Sequence, residues 1–217
     1  MKAIDKKGLF VSFEGVDGCG KSSVMKRVYE LLKDDGYEVY SLREPGGVPI
    51  SEAIRSIIMD NKNTDMDERC EALLFAAARA QLVHSKLEPL LKNKSIVLCD
   101  RYVDSSLVYQ GYARGLGIEG ILSINSFAMD GIWPDVTYLI EIKTEDAQKR
   151  MHKDSSHEEN RLDVEKLNFH KKVEEGYSLL KERFPDRIVP IDAYQKFEDE
   201  AKQIYEDVKA RWTKMNS

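Results

Sequence analysis

LFVSFEGVDGCGKSSVMKRV, residues 9–28, decides how the rest of the chain is read. LFVSFE (9–14) is an apolar, aromatic run of the kind that forms a buried strand. The eight residues that follow, Gly15-Val16-Asp17-Gly18-Cys19-Gly20-Lys21-Ser22, fit the pattern GxxxxGK[ST], and a helical pattern begins at Lys21. Strand, glycine loop and helix in that order make a phosphate cradle. Glycines let successive amide N–H groups converge on phosphate oxygens without a Cβ in the way. The helix start adds the positive end of its dipole. Lys21 supplies a cation for the β- and γ-phosphates, and the Ser22 hydroxyl is placed to ligate Mg²⁺. The bland alternative, a turn that binds nothing, fits the glycines but leaves Lys21-Ser22 unexplained.

Composition narrows the class. The 217 residues hold 42% hydrophobic and 33% charged residues, a globular balance with room for one substantial domain. The net charge of −5 argues against a broad nucleic-acid surface. MKAIDKKG at the N-terminus is polar, without the apolar run of a secretory leader, and no stretch approaches membrane-spanning length. Cys19, Cys70 and Cys99 are odd in number and lack CxxC spacing, which reads as reduced thiols in a cytoplasmic protein. The four histidines form no metal-ligand pattern, His152 and His157 included.

Strands are predicted at 9–14, 37–42, 95–100, 136–142 and 187–192. Helices are predicted at 21–34, 50–60, 66–92, 118–131, 145–152, 163–184 and 196–213, with a kink or break near Pro89. This alternation predicts an α/β fold, a parallel five-stranded sheet flanked by helices. Residues 143–172 are dense in charge and read either as a solvated helical hairpin or as a flap over a site.

Ligands of open α/β sheets sit beyond the carboxyl ends of the strands. Three strand ends offer Asp17, Arg43-Glu44 and Asp100-Arg101 to one cleft. Paired arginines suit a second phosphate group, and carboxylates suit Mg²⁺ or a substrate hydroxyl. Ordinary surface ion pairs are the competing reading. Phe75 and Arg79 share a helix face, which suits a base but more often means a core phenylalanine and an exposed arginine. YVDSSLVYQGYARGLG (102–117) fits a pocket lining or a plain helix start and loop.

REPGG (43–47), LLFAAARAQLV (73–83), LCDRYVDSSLVYQGYARGLG (98–117) and ENRLDVEKLNFHKKVEEGY (159–177) together resemble the bacterial thymidylate kinases along nearly the whole chain. The resemblance implies a P-loop nucleoside monophosphate kinase fold in one domain, 1–217, with a lid at about 143–172. It implies ATP-dependent phosphorylation of dTMP to dTDP for DNA precursors, a Mg²⁺ cofactor and a homodimer. ATP would contact Gly15 to Ser23. Asp17 would face the 3′-hydroxyl side of the deoxyribose. Arg43 and Arg101 would position the dTMP phosphate, with Glu44 and Asp100 near the metal and Arg55 lining the pocket. Phe75 would stack on thymine and Arg79 would bond its edge, with Ser106 and Gln110 completing the base contacts. Tyr109 would crowd the 2′ position. Val16-Asp17-Gly18-Cys19 holds no basic residue, so the cation for the transferred phosphoryl group is expected from the lid. Arg161 matches best, ahead of Arg150 and Lys153. The stretch 59–71 is longer than expected.

Two other functions stay open. A deoxynucleoside kinase acting on a 5′-hydroxyl would use Glu44 as a base. A P-loop switch would hydrolyse nucleotide with no acceptor.

Overall fold

The computed structural model describes residues 6–153, 161–162, 165 and 167–217. Five strands form one parallel sheet in the order β2-β3-β1-β4-β5: β1 (Leu9–Glu14), β2 (Val39–Arg43), β3 (Ile96–Asp100), β4 (Val136–Glu141) and β5 (Ile188–Asp192). β1 lies at the centre and all six of its residues are buried. That is why LFVSFE lacks polar alternation: helices cover both faces of the sheet.

Nine α-helical elements surround the sheet: α1 (Lys21–Asp34), α2 (Pro49–Met59), α3 (Glu68–Leu82), α4 (Glu88–Lys92), α5 (Val103–Ser106), α6 (Ile118–Met129), α7 (Thr144–Lys153), α8 (Leu167–Arg183) and α9 (Phe197–Asn216), counted among the described residues. The predicted helix 66–92 divides at a π-helical turn, Val83–Leu87, with Pro89 in the first turn of α4. Proline there gives up an N–H that the widened turn does not need. The stretch 103–113 is helical throughout, α5 running into a second π-helical turn, Leu107–Ala113. Residues 163, 164 and 166 of the predicted helix 163–184 lie outside the described residues, as do residues 154–160 of the predicted lid.

The topology positions the site. From β1 the chain runs outward to β2, returns to β3, then crosses to β4, so the order reverses between β3 and β1. A cleft opens at such a reversal. Register fixes what enters it: Asp100 pairs with Phe13 on one side and Arg43 on the other. Past that row, Glu44 N–H donates to Asp100 O and Arg101 N–H to Phe13 O, both at 2.9 Å. The segments carrying Gly15, Glu44 and Arg101 therefore leave the sheet side by side.

Candidate active site

A cavity of about 530 Å³ occupies this cleft. One end is the glycine loop. Gly20 caps α1 in the left-handed conformation, φ 99°, and neither a side-chain cap nor an acidic residue occupies the helix's first turn. The N–H groups of that turn and the positive helix end are left for an anion. Gly18, φ 80°, brings the loop against α7; a Cβ there would collide with the carbonyl oxygen of Ala147. Lys21 is mostly buried, its Nζ 4.0 Å from Asp17 Oδ1.

Asp17 accepts from Arg101 Nη2 at 2.5 Å and from the Tyr109 hydroxyl at 2.7 Å. Burial alone would raise its pKa, but Arg101, Lys21 and the Tyr109 hydroxyl outweigh it and hold the carboxyl well below the usual range. Arg101 adopts φ 66°, which turns it off the strand ladder toward the loop. Its Nη1 donates to Gly15 O (3.1 Å), Ser105 Oγ (2.9 Å) and the Tyr177 hydroxyl (3.1 Å). A non-glycine residue held there is over-determined by its surroundings.

Beneath Arg101 lies Glu14, the last residue of β1. It accepts from Tyr102 N–H (2.7 Å), Ser105 Oγ (2.5 Å) and the Tyr177 hydroxyl (2.9 Å). Burial and the neighbouring Asp104 raise its pKa. Glu14, Ser105 and Tyr177 were not anticipated from sequence. A carboxylate closing a fully buried, mostly apolar strand is the signal that could have found Glu14; Ser105 and Tyr177 carried none of their own.

Arg43 and Arg55 complete a basic wall. Arg43 grips Glu52 through Nη2 at 2.8 and 2.9 Å, the ion pair that sequence left as an alternative. Arg55 donates to Pro45 O at 3.2 Å. It has no carboxylate within ion-pair distance among the described residues, and burial and Arg43 lower its pKa. A cation repelled by its neighbours marks a place shaped for an anion. Ser22 Oγ hydrogen-bonds Asp100 Oδ2, which brings the two expected Mg²⁺ ligands together. No cluster of three or more His, Cys, Asp or Glu suited to a metal occurs among the described residues. A magnesium ion here would fill its shell with phosphate oxygens and water, as it prefers.

The far end is lined by Phe75, Arg79, Ser106, Tyr109 and Gln110. Arg79 is not exposed, as helix spacing alone suggested; it is 1% exposed. Its Nε and Nη2 bind Glu44 Oε2 (2.7 and 2.6 Å), Nη2 also reaches Tyr102 O (3.0 Å), and Nη1 reaches Ser106 Oγ (3.0 Å) and Asn125 Oδ1. Glu44 is thus held by Arg79, whereas the resemblance placed it near the metal. Burial raises its pKa to about 7 despite Arg79.

Of the lid cations, Arg150 is at the phosphate loop, donating to Cys19 O at 3.5 Å and Ala193 O at 2.9 Å. Arg161, expected to reach the γ-phosphate on lid closure, is buried here against α2 and α3. Its Nε donates to Ile58 O at 2.8 Å and its Nη2 to Glu71. The reason is electrostatic: a buried carboxylate on α3 draws the guanidinium there. The Lys153 side chain lies outside what is described.

A family model for thymidylate kinase matches residues 13–204. The thymidylate kinase of Halalkalibacterium halodurans is 49% identical over 205 residues, covering 94% of this chain and 98% of that protein. That of Geobacillus sp. strain WCH70 is 54% identical over 187 residues, 86% and 89% of the two chains. The crystal structure of thymidylate kinase from Ehrlichia chaffeensis superposes with a TM-score of 0.76 at 26% identity, covering 93% and 98%. With its phosphate loop, basic wall and aromatic end in one cavity, this chain belongs to the thymidylate kinase family.

Proposed function

We propose that the protein transfers the γ-phosphoryl group of ATP to dTMP, giving dTDP. The observation that carries this reading is the continuity of one cavity from the glycine loop, past Arg43, Arg55 and Arg101, to Phe75 and Gln110. A triphosphate at the loop and a monophosphate on the arginines would face each other.

ATP occupies Gly15 to Ser23, with its phosphates on the loop N–H groups and Lys21. Arg43, Arg55 and Arg101 hold the acceptor phosphate in line. Asp17, ionised and fixed by Arg101, sets the edge of the sugar site, and Tyr109 walls its 2′ side. Phe75 stacks on the base, and Ser106 and Gln110 meet its edge. Arg79 reaches that edge by sharing one of its engaged donors. Ser22 and Asp100 hold Mg²⁺, which supplies charge neutralisation on the phosphate oxygens when bound. The attacking oxygen is already anionic, so no general base is required. Charge on the transferred group is met by Lys21 and, from the lid, by Arg150. Glu44, the base that a hydroxyl acceptor would need, is committed to Arg79.

A homodimer and a cytoplasmic location belong to the same proposal. Ile50 and Ile57 on α2, Leu73 on α3 and Phe127 on α6 are exposed apolar residues on helices that pack side by side, Phe127 at 91% exposure. A second copy would cover them. All three cysteines are free thiols. No helix among the described residues is long and apolar enough to cross a membrane.

ADP release from ATP·Mg²⁺ tests the reading, with dTMP, dUMP, thymidine or no acceptor added. Release that depends on dTMP is expected. Release with thymidine in place of dTMP, or without any acceptor, would overturn it.

A further inference from the structure

Glu71, a carboxylate on α3 with no role in the transfer described above, is 1% exposed behind the base end of the cavity. It accepts Gln110 Nε2 at 2.9 Å, Arg114 Nη2 at 3.3 Å and Arg161 Nη2. Burial would raise its pKa, but the Gln110 amide, Arg114 and Arg161 outweigh that and lower it, so Glu71 is ionised. An ionised carboxylate only accepts hydrogen bonds. Gln110 must therefore turn its NH₂ toward Glu71 and its carbonyl oxygen away. That oxygen has no protein donor among the described residues, and Gln110 lines the cavity beside Phe75 and Ser106.

We propose that Glu71 is a positioning residue that fixes the sense of the Gln110 carboxamide, so that the cavity offers a base an acceptor and selects pyrimidines carrying N3–H over cytosine. This rests on the acceptor site assigned under Proposed function. Thymine and uracil donate from N3 to that oxygen. Cytosine places a lone pair there instead, and two acceptors face each other with no proton between them. Glu71 thereby excludes one pyrimidine without touching it.

The test compares kcat/KM for dUMP and dCMP, which differ only in N3 and its neighbouring C4 group. Glu71→Gln frees the Gln110 amide to rotate, because a carboxamide satisfies either orientation. Gln110→Met removes the amide. Both variants should narrow the dUMP:dCMP ratio about tenfold or more. A general loosening of α3 would lower both values together and leave the ratio alone. Narrowing in Gln110→Met but not in Glu71→Gln would overturn the proposal, since Gln110 would then read the base unaided. An unchanged ratio in Gln110→Met overturns it too, and needs no folded Glu71 variant. Failure of the wild-type protein to phosphorylate dTMP or dUMP would remove the acceptor site itself; activity on both with unchanged ratios removes only this inference.

Discussion

Arg101 donates to Asp17 across 2.5 Å, joining the turn after β3 to the glycine loop after β1. The glycine loop and the turn after β3 are thereby tied together. Arg101→Ala should raise the KM for dTMP and lower kcat/KM about a hundredfold, with the KM for ATP nearly unchanged. Parallel steady-state titrations of the two substrates decide it. A change confined to ATP would place Arg101 on the donor side.

Lys21→Ala should lower kcat by about a hundredfold or more, because no other basic residue lies within the loop. Circular dichroism should show the fold retained. Near-normal turnover in a folded variant would remove Lys21 from the phosphate cradle.

The two lid arginines should separate. Arg150→Ala should lower kcat/KM for ATP about tenfold. Arg161→Ala leaves Glu71 with one guanidinium fewer and should cost about 1–3 kcal/mol of stability. Urea unfolding and initial rates, measured on both variants, discriminate. A collapse of kcat in a fully stable Arg161→Ala protein would return that residue to the transferred phosphoryl group.

Tyr109→Phe should keep the preference for a deoxyribose over a ribose, because the ring remains as the wall. Tyr109→Ala should narrow it. If the phenylalanine variant alone lost the preference, the hydroxyl and its bond to Asp17 would be the discriminating feature.

Glu200, on α9, has a buried Oε1 with no hydrogen-bond partner among the described residues, and burial raises its pKa to about 7. A carboxyl raised in the fold favours the folded state while protonated, so its contribution is intact below the unfolded value of 4.5 and is lost as pH rises through 7. Glu200→Gln should therefore be more stable than wild type at pH 8 by about 1–3 kcal/mol, the gap closing near pH 5. Asp17, shifted downward, acts in the opposite sense and only in acid, below the ordinary aspartate range. Melting temperatures of both proteins across pH 5–8 check the sign.

Residues 9–28 carried the fold because strand burial, glycine geometry and helix start are local properties. The strand-end residues Asp17, Arg43 and Arg101 were legible for a related reason: topology brings strand ends together whatever their side chains do. Glu14, Tyr177 and Glu71 were not. Each acts by holding another side chain, and Glu14 and Tyr177 meet across 163 positions of sequence. The contacts of Arg161 were hidden for the same cause. Its place in the motif was legible, but the carboxylate that captures it lies 90 residues away on α3.

Three of the arginines that line the cavity carry counter-ions, Arg43 with Glu52, Arg79 with Glu44 and Arg101 with Asp17, whereas Arg55 has none among the described residues. An anion held there would exchange partners with three of these guanidiniums and meet an uncompensated charge at Arg55. Added salt should weaken nucleotide binding, because the cavity's cations are only partly offset from within.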